Sequence, residues 1–275
     1  MNSLNISDRL KRVADCISKG NRVADIGCDH AYTAIYLIKK DIAKKVIALD
    51  INKGPLEKAK KNISLYGLDD YIETRLSDGG KELKDDEVDS ILISGMGGRL
   101  TNKILSDSID IVKNCKQLVL QPQSEIHLVR EYIQEIGFSI IYEDMLIDDG
   151  KYYVIINAMN EYDVNKLAQV SNANDEKVLN KVKENKEDKK YKEIKESIED
   201  KDIHSEELFN KYGKYLLENK NEILYKFLIK KKNKIEHILS QLRSNSVNEV
   251  NNKDRIAELD RDLELIREGI RYYEV

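Results

Sequence analysis

The chain is 275 residues long, 41% hydrophobic and 35% charged, with a formal net charge of -4. That length holds one α/β domain of ordinary size plus something smaller, and the near-neutral balance excludes a globally basic nucleic-acid binder, leaving only local patches. Cys16, Cys28 and Cys115 are widely spaced, without CxxC or paired-histidine spacing, so neither a disulfide framework nor a metal site is expected.

The N-terminus is charged and amphipathic with no apolar signal core, and no run approaches the ~20 apolar residues that span a bilayer. A soluble, cytoplasmic protein is expected. In chain order, Ser7 is placed to cap a short helix with Leu10, Val13, Ala14 and Ile17 on one face, closed by Gly20. RVADIG then reads as a strand and YTAIYLIKK as the helix behind it. KKVIALDIN and LEKAKKNISLYGL repeat the unit. YIETRLSDGG gives a third strand, VDSILISGMGG a fourth that runs into a glycine-rich turn, and KQLVLQPQS a fifth before a helix over about 125–136. Strand–helix alternation repeated five times predicts a doubly wound parallel sheet. FSIIYEDMLIDDGKYYVIINAMN breaks the alternation with a hairpin around Asp-Asp-Gly. Parallel strands closed by an antiparallel hairpin are the order of an α/β, Rossmann-like class I methyltransferase sheet.

After Asn160 the composition turns Lys/Glu/Asn/Asp-rich, and residues 161–205 read as a charged insertion, flexible or marginally helical, that supports no core of its own. From 206 to 275 the pattern becomes helical. Ile256, Leu259, Leu263, Ile266, Ile270 and Tyr273 make a heptad seam, and Leu224, Leu228, Ile235, Ile238 and Leu242 a second with a gap near Lys231. Two helices joined by the polar RSNSVNEVNNKD predict an antiparallel coiled-coil hairpin, with pairing between molecules and a plain pair of packed helices as the alternatives. The expected organisation is a catalytic domain over 1–160, the insertion, and the hairpin.

The stretch VADIGCDHAYT carries the first chemical signal. It ends a buried strand at a nucleotide-binding turn, yet Asp29 and His30 stand where a dinucleotide site would need glycines to admit a pyrophosphate. S-adenosyl-L-methionine is a cofactor without a pyrophosphate. Gly27 would let the backbone approach its methionyl part, Asp25 would answer its positive end, and Asp29 and His30 lie within reach of the same group or of the substrate. Asp50, ending strand two, is placed to accept both ribose hydroxyls. Asp78, followed by Gly79, ends strand three near the adenine. Ser94, Gly95 and Met96 open a bare backbone platform for a flat substrate, and the amides of Gln121 and Gln123 suit the edge of a nucleobase. Each acid taken singly also fits a turn former or helix cap, the glycines a plain helix entry, and the glutamines a solvated loop.

Together DIGCDHAYT, SGMGG and QPQS, behind an N-terminal ISDRL, resemble the bacterial tRNA methyltransferases that modify N1 of the adenine at position 22, the TrmK family. The resemblance covers about residues 4–160, and the helical C-terminus agrees in kind. This chain has Thr33-Ala34 where that family usually has Leu-Pro, Gln123 where Asn is common, and a longer charged stretch after Asn160. The resemblance implies methylation of tRNA from S-adenosyl-L-methionine, with Tyr32 as a stacking ring, Gln121 and Gln123 as substrate-positioning groups, and no general base. Contacts to tRNA are expected from Arg9, Lys11 and Arg12 on the first helix and from Lys230, Lys231, Lys232 and Lys234 near the C-terminus, in a monomer or weak dimer with no membrane partner. The cofactor half alone equally accommodates a methyltransferase acting elsewhere. A non-catalytic partner-binding protein on the same sheet is the other alternative, which retention of all three strand-end acids speaks against.

Overall fold

The computed structural model describes residues 4–161, 203–244 and 252–274. The chain divides into two compact units. The charged stretch read at 161–205 lies almost wholly outside the described residues, as does the centre of the loop expected between the last two helices.

The first unit is built on a seven-stranded sheet in the order β3-β2-β1-β4-β5-β7-β6. Its strands are β1 (Asn21–Ile26), β2 (Ala43–Asp50), β3 (Ile72–Leu76), β4 (Ser90–Met96), β5 (Gln117–Pro122), β6 (Phe138–Asp148) and β7 (Lys151–Asn160). The first five run parallel, and β7 returns antiparallel beside β5. Strands covered on both faces read as continuous apolar runs rather than alternating ones. Accordingly all six residues of β5 are buried, as are Val23 to Ile26 of β1 and Ser90 to Ile93 of β4. The helices α1 (Asp8–Asp15), α2 (Tyr32–Lys39), α3 (Lys53–Leu65), α4 (Gly98–Asp107), α5 (Ile109–Asn114) and α6 (Ile126–Glu135) supply the covering layers. In α3 the buried set is Leu56, Ala59 and Ile63, one stripe at helical spacing. Side chains such as Leu92 and Leu120 are fully buried. Truncating either to alanine costs about 2–5 kcal/mol.

The expected sheet is therefore present, and its strand order reverses between β1 and β4. In such sheets the ligand crevice lies at that reversal, outside the carboxyl ends of the strands. The opposite edge is cemented by charge. The Asp89 carboxylate accepts from the backbone N and Nε of Arg22 (3.0 and 2.9 Å) and pairs with Lys116 at 3.0 Å. The Arg22 guanidinium, with help from Lys116, holds Asp89 well below the usual carboxylate range.

The second unit comprises the hairpin tip Glu143–Tyr152 and the chain from Ile203 on. It holds α7 (Ile203–Tyr212), α8 (Lys214–Glu218), α9 (Glu222–Arg243) and α10 (Lys253–Arg271). Asn221 caps α9 by accepting from the backbone N of Ile223 and Leu224. The ion pairs Glu236–Arg267 and Arg243–Asp260 advance along α9 while retreating along α10, so the two helices are antiparallel. Leu224, Leu228, Ile235 and Leu239 are buried on α9, and Ile256, Leu259, Leu263, Ile266 and Ile270 on α10.

Three sequence expectations change here. Leu239, not Ile238, continues the α9 seam. The unit's described residues form four helices where two were expected, and α10 buries a second stripe with Leu265 and Gly269. A Cβ on Gly269 would lie 3.3–3.8 Å from Leu228, Leu217 and Leu208, so the bare glycine admits α7, α8 and α9 to one spot. Finally, the hairpin tip, read as part of the catalytic domain, clusters with these helices, where Tyr152 packs edge-on against Phe227 at 5.2 Å.

Candidate active site

The turn after β1 is built from residues of unusual backbone geometry. Gly27, Asp29 and Ala31 all have positive φ (77°, 49° and 60°). Glycine adopts this at no steric cost, whereas Asp29 and Ala31 store strain of the kind that clusters at binding sites. The N–H groups of Gly27 and Cys28 both donate to the Leu49 carbonyl (2.8 and 3.0 Å), cinching the turn to the end of β2. A Cβ on Gly27 would fall 2.2 Å from the Met96 methyl carbon, so the turn after β1 and the end of β4 meet at this glycine.

Asp25 lies beneath the turn, 3% exposed. No side chain of Ala31 can cap α2, and Asp25 takes that place by accepting from the backbone N of Ala34. Its Oδ2 is buried with no hydrogen-bond partner. Burial first, and the Asp50 charge to a lesser degree, push the carboxyl up to about 7 against the Ala34 hydrogen bond. The sequence placed Asp25 against a ligand. The structure shows a buried carboxylate with one oxygen committed to the helix and one still open to a donor.

Asp50, at the end of β2, accepts from the backbone N of Asn52 at 2.8 Å through Oδ1 and of Asp29 at 3.3 Å through Oδ2. Beside it Ile51 is 62% exposed, an apolar face at the strand end that the sequence reading passed over. Asp78 is drawn to Lys81, which also reaches Asp107 at 3.3 Å. Gly79 has φ +66°, and a Cβ there would press on Ile104 at 3.1 Å. His30 lies 3.4 Å from Asp29 and edge-on to Tyr32 with ring centroids 5.8 Å apart.

The carboxyl ends of β4 and β5 carry the platform. Ser94 pairs with Gln121 in register, after which a bulge lets Met96 meet Pro122, and Gly95 turns the chain at φ +85°. Gln121 is 1% exposed. Its Oε1 accepts from Ser94 Oγ at 3.1 Å and from Arg9. Gln123 is exposed and donates its backbone N–H to the Met96 carbonyl at 2.8 Å. A Cβ on Gly98 would stand 2.6 Å from the carbonyl oxygens of Ser124 and Glu125. Only glycine permits that approach.

The basic residues divide. Arg9 turns inward to Ser94 and Gln121 instead of outward to solvent. The signal was in the sequence: Arg9 stands three residues after Ile6 and four before Val13, both buried, and so shares their face. Lys11 pairs with Asp8 at 2.8 Å, and Arg12 is exposed. In the helical unit Lys231 fills the gap in the α9 seam, 3.6 Å from Asp262 and over the Tyr212 ring. Burial lowers its pKa while Asp262 opposes the shift. Lys231 is thus part of a half-buried charge network with Asp262 and Lys211. Lys230 and Lys234 are exposed, Lys232 half-buried, and Lys230 also lies 5.8 Å from the Tyr152 ring. Among the described residues no group of three His, Cys, Asp or Glu side chains could hold a metal, and no helix is long and apolar enough to cross a membrane.

A methyltransferase domain model matches residues 6–156. Over 158 residues the chain is 38% identical to the tRNA (adenine(22)-N(1))-methyltransferase of Bacillus subtilis, a match covering 58% of this chain and 66% of that protein's length. The crystal structure of the B. subtilis m1A22 tRNA methyltransferase TrmK superposes with a TM-score of 0.74 at 28% identity, covering 98% of this chain and 100% of that one. Streptococcus pneumoniae Sp1610, solved in complex with S-adenosyl-L-methionine, gives a TM-score of 0.72 at 25% identity over 97% and 100% of the two chains. With its strand order, its left-handed turn at the β1/β4 reversal and this family match over residues 6–156, the chain belongs to the methyltransferase domain family.

Proposed function

We propose that this chain transfers the methyl group of S-adenosyl-L-methionine to N1 of the adenine at position 22 of tRNA. The observation that carries the reading is the likeness to the B. subtilis m1A22 enzyme along essentially the whole chain, helical unit included.

The residues at the sheet edge fit the cofactor. Asp25 leaves a buried acceptor unsatisfied, Gly27 keeps a side-chain-free approach, Asp50 offers two carboxylate oxygens, and Ile51 offers an apolar face. When bound, the cofactor supplies an activated methyl group on a sulfonium. Asp25 and the turn over 27–30 would hold its cationic methionyl end, Asp50 its ribose, and Ile51 with the Asp78–Gly79 turn its adenine. Adenine N1 keeps an in-plane lone pair, so no proton need be removed before attack, and no side chain is assigned as a base. Catalysis then rests on alignment of the two reactants. N1 is also a pairing group, so the base must leave its stack at a cost of a few kcal/mol. Tyr32 would receive the ring, and the exposed Gln123 its edge. Buried Gln121 shapes the pocket from behind. Positive charge passes to the adenine ring during transfer, and Asp29 is the exposed carboxylate beside the turn that would offset it.

Lys11 and Arg12, together with Lys230, Lys232 and Lys234, would contact tRNA phosphates from a cytoplasmic monomer or weak dimer. The test combines two measurements. Calorimetric titration with S-adenosylhomocysteine should show one site per chain, and labelled methyl groups should pass to unmodified tRNA. Binding without transfer to any tRNA would assign the domain another substrate; no binding would remove the cofactor.

A further inference from the structure

We propose that Arg9 is a positioning residue of the active site, setting the geometry of the β4–β5 edge rather than gripping a tRNA phosphate. The inference rests on the methyltransferase reading above and concerns what holds the platform in line with the cofactor turn. Arg9 lies in the first turn of α1, and its Nη1 donates to Ser94 Oγ at 3.1 Å and to Gln121 Oε1. Ser94 Oγ also lies 3.1 Å from the same Oε1. Two donors therefore fill both lone pairs of the buried Gln121 oxygen, which fixes the orientation of its amide. The guanidinium lies over the Tyr153 ring of β7, 5.1 Å from its centroid.

The place of this triangle in the sheet gives it its consequence. Ser94 and Gln121 form the last regular pair of the β4–β5 ladder, and the register shifts immediately afterwards. From that pair the two chains leave as the Gly95–Gly98 and Pro122–Glu125 segments that make up the platform. Backbone pairing no longer fixes their exit, so a side-chain tie across the last pair does. The other end of α1 is anchored too. Gln117 Oε1 accepts from the Ser18 backbone N at 2.9 Å, and its Nε2 donates to the Cys16 carbonyl at 2.8 Å. Gln117 begins β5 and Gln121 stands near its end, so α1 runs along this strand in the opposite sense, with Arg9 delivered to the carboxyl edge. In-line transfer tolerates little misplacement, and a shift of about 1 Å costs on the order of 100-fold in rate.

The two roles for Arg9 separate experimentally. In Arg9→Ala, kcat for tRNA methylation should fall about 10- to 100-fold, with KM for tRNA and the S-adenosylhomocysteine Kd each within about threefold. The salt dependence of tRNA binding should stay unchanged, and amide hydrogen exchange should quicken over 95–98 and 122–125. Arg9→Lys keeps the charge but not the planar fork or its stacking, so it should restore little of the rate. A raised KM with kcat retained, a salt slope reduced by about one counterion, or full rescue by lysine would assign Arg9 to a phosphate and overturn the proposal. So would exchange over 95–98 and 122–125 that matches the wild type. If the wild-type protein transfers no methyl group to tRNA, the functional reading fails, and the exchange measurement still decides whether Arg9 sets this edge.

Discussion

Asp25→Asn tests the buried carboxylate under the first turn. In the folded protein its carboxyl titrates at about 7, against 3.8 for the unperturbed group. At 1.36 kcal/mol per pH unit, that gap is a cost of about 4 kcal/mol to the ligand-free fold once the group is ionised on both sides of the unfolding equilibrium. The sign follows from proton counts. Between pH 3.8 and about 7 the folded carboxyl keeps a proton that the unfolded chain has lost, so stability falls as pH rises through that window. Asparagine can still accept from the Ala34 N–H but never ionises. The variant should therefore match the wild type near pH 4 and exceed it by up to about 4 kcal/mol near pH 8. Urea unfolding of the first unit, followed by circular dichroism at several pH values without ligand, measures the difference. The same variant should lose cofactor affinity at pH 8 by about 1.5–3 kcal/mol, the worth of a hydrogen bond to a charged group. Wild-type S-adenosylhomocysteine binding should tighten as pH rises toward 7, because the ligand's α-ammonium group is held by the ionised Asp25, which must first lose its proton. A stability difference that does not vary with pH, or binding indifferent to pH and to the substitution, would refute the reasoning.

Three further outcomes follow from the same geometry. Gly27→Val should abolish S-adenosylhomocysteine binding while helix content persists, since the new side chain meets Met96 and a β-branched residue is forced to φ +77°; calorimetry at normal affinity would contradict the assigned turn. Asp50→Ala should weaken the same binding by about 1.5–3 kcal/mol with the fold intact, and an unchanged Kd would remove Asp50 from the site. Asp89→Asn should lower the unfolding free energy at neutral pH by about 2 kcal/mol without affecting kcat at a temperature where the protein stays folded. Because the folded Asp89 titrates below its usual range, that difference should be present above about pH 4 and shrink as acid protonates it.

The parallel sheet was legible because its strands are buried on both faces. RVADI, VIALD, SILIS and QLVLQ are near-continuous apolar runs, each closed by turn residues at the carboxyl edge of the sheet. What escaped was set by packing between distant segments. A charged helix residue reads as solvated, yet Arg9 shares a face with Ile6 and Val13 and turns toward the sheet edge. The gap in the heptad pattern near Lys231 is filled by the lysine itself, seated against Asp262 and Tyr212. The short helices α7 and α8 carry too few apolar positions for periodicity to reveal, and only the second stripe of α10 explains them. Asp25 and Gln121 stand at the strand ends where the sequence puts them, but no sequence pattern reveals that both side chains are almost fully buried there.

The central claim is methylation of one atom of one nucleotide, and mapping the product tests it most directly. Unmodified tRNA carrying adenine at position 22 should be incubated with the protein and S-adenosyl-L-methionine, then read by primer extension, because a methyl group on N1 blocks pairing and stops the polymerase. The account predicts a new stop at position 22 alone, N1-methyladenosine among the digested nucleosides by mass spectrometry, and neither signal from the same tRNA with guanine at that position. A stop at another nucleotide, or methyl incorporation that survives the change to guanine, would contradict it.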